Sequence, residues 1–220
     1  NLVQHRPTGL PEPPNSDWET MAHRLVDAQA ICLAHSVQNL AHIPASQPDW
    51  PEKTLHEIGR LYLIIQGFCN FTQLSPDVQA DLQTAVGWLP TANASPMIFT
   101  DHWLVLGRQQ DIIGSQTRFT TWLWGHETQK LAQLVDLNRR TGSAVAWLPT
   151  NSVWQGSLNF APGSWPLLAT RHGPLVQVAG FTIQPVGFQT VRAAGQAYGR
   201  ALAANPWLPH FPMLLHHTQP

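Results

Sequence analysis

Charge is scarce in this 220-residue chain. Only 11% of its residues are Asp, Glu, Lys or Arg, less than half of the roughly 25% typical of a soluble domain. Twelve basic residues stand against 13 acidic ones, for a net charge of -1, so there is no basic excess with which to coat nucleic acid or an anionic membrane. Cysteine is nearly absent too. Cys32 and Cys69 cannot build a zinc site alone, and no CxxC or CxC occurs. Both fall inside apolar helical patterns, which predicts buried free thiols and a reducing compartment. The longest apolar run, Leu61 to Ile65, is far short of the ~18 residues of a membrane span. The N-terminal stretch NLVQHRPTGLPEPP has no apolar signal core and no initiator Met, so Asn1 is expected not to be the natural start. What the chain does have is 10 Trp and 8 Phe, enough large apolar surface to exclude disorder over most of its length.

The order of the patterns predicts an α+β fold. Residues 1–15 are proline-rich and read as an extended linker. A capping box, Ser16-Asp17-Trp18-Glu19, opens helical spacing that runs through Leu25, Cys32/Leu33, Val37 and Leu40, one long helix to about Ala41. Asp49-Trp50-Pro51-Glu52 starts a second, whose apolar stripe is Leu55, Ile58, Leu61/Tyr62, Ile65 and Phe68/Cys69. Ser75-Pro76-Asp77 starts a third, stopped by Gly87. These three make an antiparallel helical bundle over 16–90.

From residue 91 to 220 the grammar becomes that of an antiparallel β-sheet or partial barrel. The stretch TANASP (91–96) is the joint, and strands are expected near 98–108, 117–125, 130–137, 152–160, 165–171 and 175–183. Gly114-Ser115, Gly125-His126, Thr141-Gly142, Pro162-Gly163 and Gly173-Pro174 supply the turns. Helical spacing resumes from Phe188 to Leu202 and closes the domain before Asn205-Pro206.

No catalytic motif emerges. GxSxG, GxxxxGK[ST] and GxGxxG are all absent. His56-Glu57-Ile58-Gly59-Arg60 and His126-Glu127-Thr128-Gln129-Lys130 approach the zinc-protease helix, but a cation stands where the second imidazole is needed. The first reads as a solvated helix face and the second as a hairpin tip. Asp101 and His102 adjoin on a strand, so their side chains point to opposite faces and do not make a base and its orienter. His216-His217 is a tail dipeptide. His23 and His35 are too far apart along a helix to share an ion, which leaves Cys32, His35 and Cys69 as the one conceivable distant metal set. The expectation is no catalytic, cofactor or metal site within the chain. Trp103, Trp122, Trp124, Trp147, Trp154 and Trp165 raise the question of a stacking platform. With so few cations among them, they are expected to fill a core instead.

Five segments in order carry a resemblance. They are Arg24-Leu25-Val26-Asp27-Ala28-Gln29-Ala30; Asp101-His102-Trp103-Leu104-Val105-Leu106-Gly107; Thr121-Trp122-Leu123-Trp124-Gly125; the run from Leu158 through Asn159-Phe160-Ala161-Pro162-Gly163-Ser164-Trp165-Pro166 to Leu167; and Asn205-Pro206-Trp207-Leu208 with Phe211-Pro212. Together they resemble the region that follows the zinc finger in bacterial SWIM zinc-finger proteins. The chain departs from that family at Ile31-Cys32, where Pro-Gly is common, and at Ser157, Leu168 and Ala169, where charged residues flank the strand-turn segment. The finger's Cys-x-Cys and Cys-x-His ligands are absent and would belong to an upstream segment.

The resemblance implies a bacterial cytoplasmic protein of a system encoded near AAA+ ATPases, and it transfers no catalytic residue. The function expected is therefore a non-enzymatic protein-interaction module with an unidentified protein partner. The alternatives are an accessory domain with weak nucleic-acid binding, or a hydrolase with an unrecognised site. Asp27 and Gln29, polar residues in an apolar run, are expected to form a buried polar clamp between bundle and sheet.

Overall fold

The structure, a computed structural model, describes residues 15–41, 43, 48–88, 97–113, 116–138 and 148–215. The expected linker at 1–15 (apart from Asn15), the joint at 91–96, the turns at Gly114-Ser115 and Thr141-Gly142, Trp147 and the His216-His217 pair lie outside them. The fold is α+β. The chain divides into two compact units, residues 1–75 with 82–89 and residues 76–81 with 90–220.

The helical unit contains four helices rather than three: α1 Asn15–Asp27, α2 Ile31–Ala41, α3 Trp50–Cys69 and α4 Pro76–Val86, the first part of α4 grouping with the second unit. The expected long first helix breaks at Gln29, which takes φ 60°. The Ala30 N–H reaches the Leu25 carbonyl at 2.8 Å and the Gln29 N–H reaches Val26 at 2.9 Å. That is a Schellman stop, a role normally signalled by Gly or Asn, so the helical periodicity runs straight through it. Pro51 and Pro76 sit in the first turns of α3 and α4, and Gly87 ends α4 in the left-handed region at φ 97°.

The second unit is a barrel. Its strands are β1 Met97–Ile113, β2 Gln116–Gly125, β3 Leu131–Asn138, β4 Val153–Phe160, β5 Leu168–Arg171 and β6 Val176–Val178. β1 is long enough to serve twice. Its first half pairs with β4, from Met97 opposite Phe160 to Leu104 opposite Val153, and its second half pairs with β2. The ring runs β1-β2-β3-β5-β4 and returns to β1, so it is closed, and β6 adds to the free part of β4's edge. The pairings are those of the expected antiparallel sheet or partial barrel except at one place, where β3 and β5 are parallel. Beyond their short pairing, Arg171 clasps Asp136 through two hydrogen bonds of 2.9 and 3.1 Å, a bidentate geometry that fixes the two strands against each other.

Alternation of side chains decides what fills the ring. Trp103, Val105, Leu123, Ala132, Leu134, Leu148, Leu158, Phe160 and Ala169 form its buried core. The Trp103 indole N–H, which would be orphaned there, donates to the Gly156 carbonyl at 3.0 Å. A bulge between Val105 and Gly107 reverses the alternation of β1, so that Arg108 falls opposite Thr121 and its guanidinium lies 4.2 Å over the Phe119 ring. Outside the ring, Leu104, Val153 and Ile183 form a second cluster, with Leu106 and Trp124 against it. Helix α5, Val191–Ala204, starts with the Thr190 hydroxyl accepting the Ala193 N–H. Phe188, expected inside this helix, precedes it and forms a bridge with Leu215.

Candidate functional site

The buried thiols and the Asp27 clamp are both corrected. Cys32 and Cys69 are exposed and not disulfide-bonded, and Asp27, the last residue of α1, is exposed as well. Cys32, His35 and Cys69 are not gathered into a metal site. A buried carboxylate clasp is found at Asp81 instead. This α4 carboxylate is buried and accepts the Ser164 N–H at 2.8 Å, within the second unit. A Cβ on Gly163 would overlap the same carboxylate, so glycine is required for the approach. Burial pushes the Asp81 carboxyl above its ordinary value. Ser164 offsets part of that, and the nearby Asp77 adds to it. The Pro162-Gly163-Ser164 turn was legible, but its partner 83 residues away was not.

The expected separation of Asp101 from His102 does not hold at the hairpin tip, where both side chains reach Glu127, Asp101 through the Glu127 N–H and His102 Nδ1 at 3.6 Å from its carboxylate. Asp101 is buried and His102 stacks on Phe181 with ring centroids 4.7 Å apart. Among the described residues, Asp101, His102 and Glu127 have potential metal-ligating atoms within 4.8 Å of one another. The arrangement has a simpler use. Asp101 accepts the N–H groups of His102 at 2.7 Å, Glu127 at 3.0 Å and Thr128 at 2.8 Å, and the Thr128 hydroxyl at 2.6 Å. Those four donors fill the acceptor sites of a carboxylate. They pin the 126–128 turn, which is the hairpin tip expected from His126-Glu127. Burial pushes the Asp101 carboxyl up, but the donors of Glu127, Thr128 and His102 outweigh it and hold it below the usual value. A cation would have to displace part of this clasp.

The tryptophans divide. Trp103 is fully buried, Trp124 packs on the outer cluster, and Trp154 packs on the core with its N–H on the Ser152 hydroxyl at 2.7 Å. Trp122 and Trp165 instead face rings of the C-terminal segment, His210 and Phe211. Several barrel cations are engaged. Arg118 binds Asp111 at 3.1 Å, Arg171 binds Asp136, and Lys130 lies 4.7 Å over Phe99. Arg118 holds the Asp111 carboxyl below its ordinary value.

The largest departure is on α3. Its apolar stripe was expected to face the bundle core, yet Leu55 is 72% exposed, Tyr62 59%, Ile65 57% and Ile58 49%. These four lie on one side of the helix. Ile64 and Gly67 are buried instead, and Glu57 and Arg60, expected on a solvated face, are half-buried. Nothing in the spacing distinguishes an inward stripe from an outward one.

No helix of the described residues is long and apolar enough to cross a membrane. No curated protein and no solved structure matches the chain. Residues 5–86 match the family described as the SWIM-associated four-helix bundle domain, and so the helical region is a SWIM-associated one.

Proposed function

We propose that this chain is a non-enzymatic protein-interaction module, a component of a multiprotein assembly that it joins through the outward face of α3. The observation that carries the reading is the stripe Leu55, Ile58, Tyr62 and Ile65, left in water by a helix that turns Glu57 and Arg60 partly inward. Contiguous apolar surface rimmed by polar residues is what partners cover. The rim includes His56 and Gln66, both exposed. A photo-crosslinking amino acid placed in turn at 58, 62 and 65 of the full-length protein in its native host tests this. One adduct shared by all three positions, absent from a control at exposed Val176 and lost with Leu55→Ser, is the expected outcome. Identical adducts at the stripe and at Val176 would discard the reading.

One observation favours a second reading, nucleic-acid binding. A five-stranded Greek-key barrel is the plan of the oligonucleotide- and oligosaccharide-binding fold, which takes ligands over strands 2 and 3 and the adjoining loops. Fold alone does not carry function. Arg118 and Arg171 are already neutralised by carboxylates, which weakens the counterion release that drives such binding. Anisotropy with a fluorescent single strand is expected to show no micromolar binding at physiological salt. Micromolar affinity with a steep salt slope would reverse the order of the two readings.

A further inference from the structure

After α5 the chain turns sharply. The Asn205 side chain accepts the Trp207 N–H at 3.0 Å, and the Leu208 N–H returns to the Asn205 carbonyl at 3.2 Å. Residues 208–214 then run without helix or strand until Phe188 donates to the Leu214 carbonyl at 2.7 Å. Pro209 and Pro212 of this strap follow Pro206 of the turn at intervals of three residues. Three is the repeat of the polyproline II helix, which aromatic-lined grooves recognise.

The strap lies against such a surface. Phe211 has its ring centroid 5.4 Å from Tyr198 and 6.1 Å from Trp165, and His210 sits edge-on to Trp122 at 6.4 Å. These three rings come from β2, the β4–β5 loop and α5, all within the second unit. The fit is incomplete. Beside the strap lies an open surface depression of about 360 Å³, lined by Gln109, Trp122, Tyr198 and residues 209–213. Pro209, His210 and Met213 are exposed, so the strap lies on the surface and is not part of a closed core. Trp207 is buried, yet its indole N–H meets no acceptor among the described residues.

We propose that Trp122, Trp165 and Tyr198 form a recognition groove for an extended proline-rich segment with prolines three apart and an aromatic anchor between them. Residues 209–213 occupy it in cis as a displaceable stand-in. The chemistry favours a peptide over a nucleic-acid strand: Gln109 lines the depression, Asp111 lies near His210, and Arg118 is held by Asp111. A tethered segment competes at an effective concentration on the order of millimolar. An incoming peptide therefore binds weakly until the strap is loosened. This surface is separate from α3, and its test is independent of the α3 reading.

The test uses the full chain and a fluorescein-labelled peptide copying residues 205–215. Phe211→Ala should bind the peptide at least about tenfold more tightly than the unsubstituted protein, because it weakens the cis competitor. Adding Tyr198→Ala should abolish the gain, and a scrambled peptide should not bind. A folded Phe211→Ala protein with no gain in affinity overturns the proposal. So does an oligothymidine that binds this variant and displaces the peptide. If Phe211→Ala fails to fold, Pro209→Gly/Pro212→Gly, which loosens the strap and leaves every ring in place, is held to the same outcomes.

Discussion

The two units treat the same residue types in opposite ways. In the barrel, apolar side chains go inside, the buried indole N–H of Trp103 has an acceptor, and carboxylates such as Asp101 and Asp136 tie turns and strands. In the helical unit, α3 holds its best apolar stripe outside and turns Glu57 and Arg60 partly inward. The barrel completes itself, because a ring of strands leaves each side chain a definite inside or outside. A helix has no such constraint. The binding role proposed for the helical unit rests on this difference.

The comparison would break first at the core of the barrel. Trp103→Ala should cost about 3–5 kcal/mol, the range for emptying a large aromatic site, read as a large fall in the urea midpoint. A loss below about 1 kcal/mol would mean that the ring is no better packed than the helices. Next comes the Asp81 clasp. Asp81→Ala should cost about 1–3 kcal/mol by orphaning the Ser164 N–H, and Asp81→Asn, which keeps an acceptor, should cost less. Gly163→Ala should lose a similar about 1–3 kcal/mol through overpacking against the carboxylate.

Acid titration sharpens the picture, because Asp101 and Asp81 have opposite signs. The folded value of Asp101 is depressed. Its contribution is therefore complete above the ordinary carboxylate value of about 3.9 and is lost as pH falls through the folded value. Urea midpoints measured down through that range should fall less steeply for Asp101→Asn. Asp81 is raised, so acidification through its folded value, down to the unfolded one, relieves a penalty. Asp81→Asn should accordingly lose stability more steeply on the acid side. The smallest effects belong to α3 and to Asp27. Tyr62→Ser, Leu55→Ser and Asp27→Ala should each shift stability within about 0.5 kcal/mol, as exposed positions do. A loss of several kcal/mol at Tyr62 would place that ring in a core and end the contrast.

Much of this architecture was legible where local chemistry marks it. Pro51, Pro76 and Gly87 bound helices, and Gly125-His126 marked the end of the strand near 117–125. The break at Gln29 was not legible, because a left-handed Gln carries no compositional mark. The direction of the α3 stripe was hidden for a different reason: spacing shows that a face exists, never what lies opposite it. The Asp81 clasp joins residues on distant segments, and a single sequence carries no record of such pairs. The polar clamp was therefore sought at Asp27, within its own apolar run. The prolines of the strap were visible, but the rings they meet come from three separate elements.

The return of β1 to β4 also bears on how the chain folds. The seam that closes the ring joins residues as distant as Met97 and Phe160, whereas the β1–β2–β3 meander can zip from its own tight turns. Loop-closure entropy must be met before the seam yields any contact, which places this barrel among slow-folding topologies. Until the seam forms, the meander carries two unsatisfied backbone edges, an opportunity for pairing with other chains. Once it has formed, the edges left among the described strands are β6, the second half of β1 and most of β3. The nascent chain is thus most exposed to aggregation in the interval before β4 and β5 arrive to close the ring.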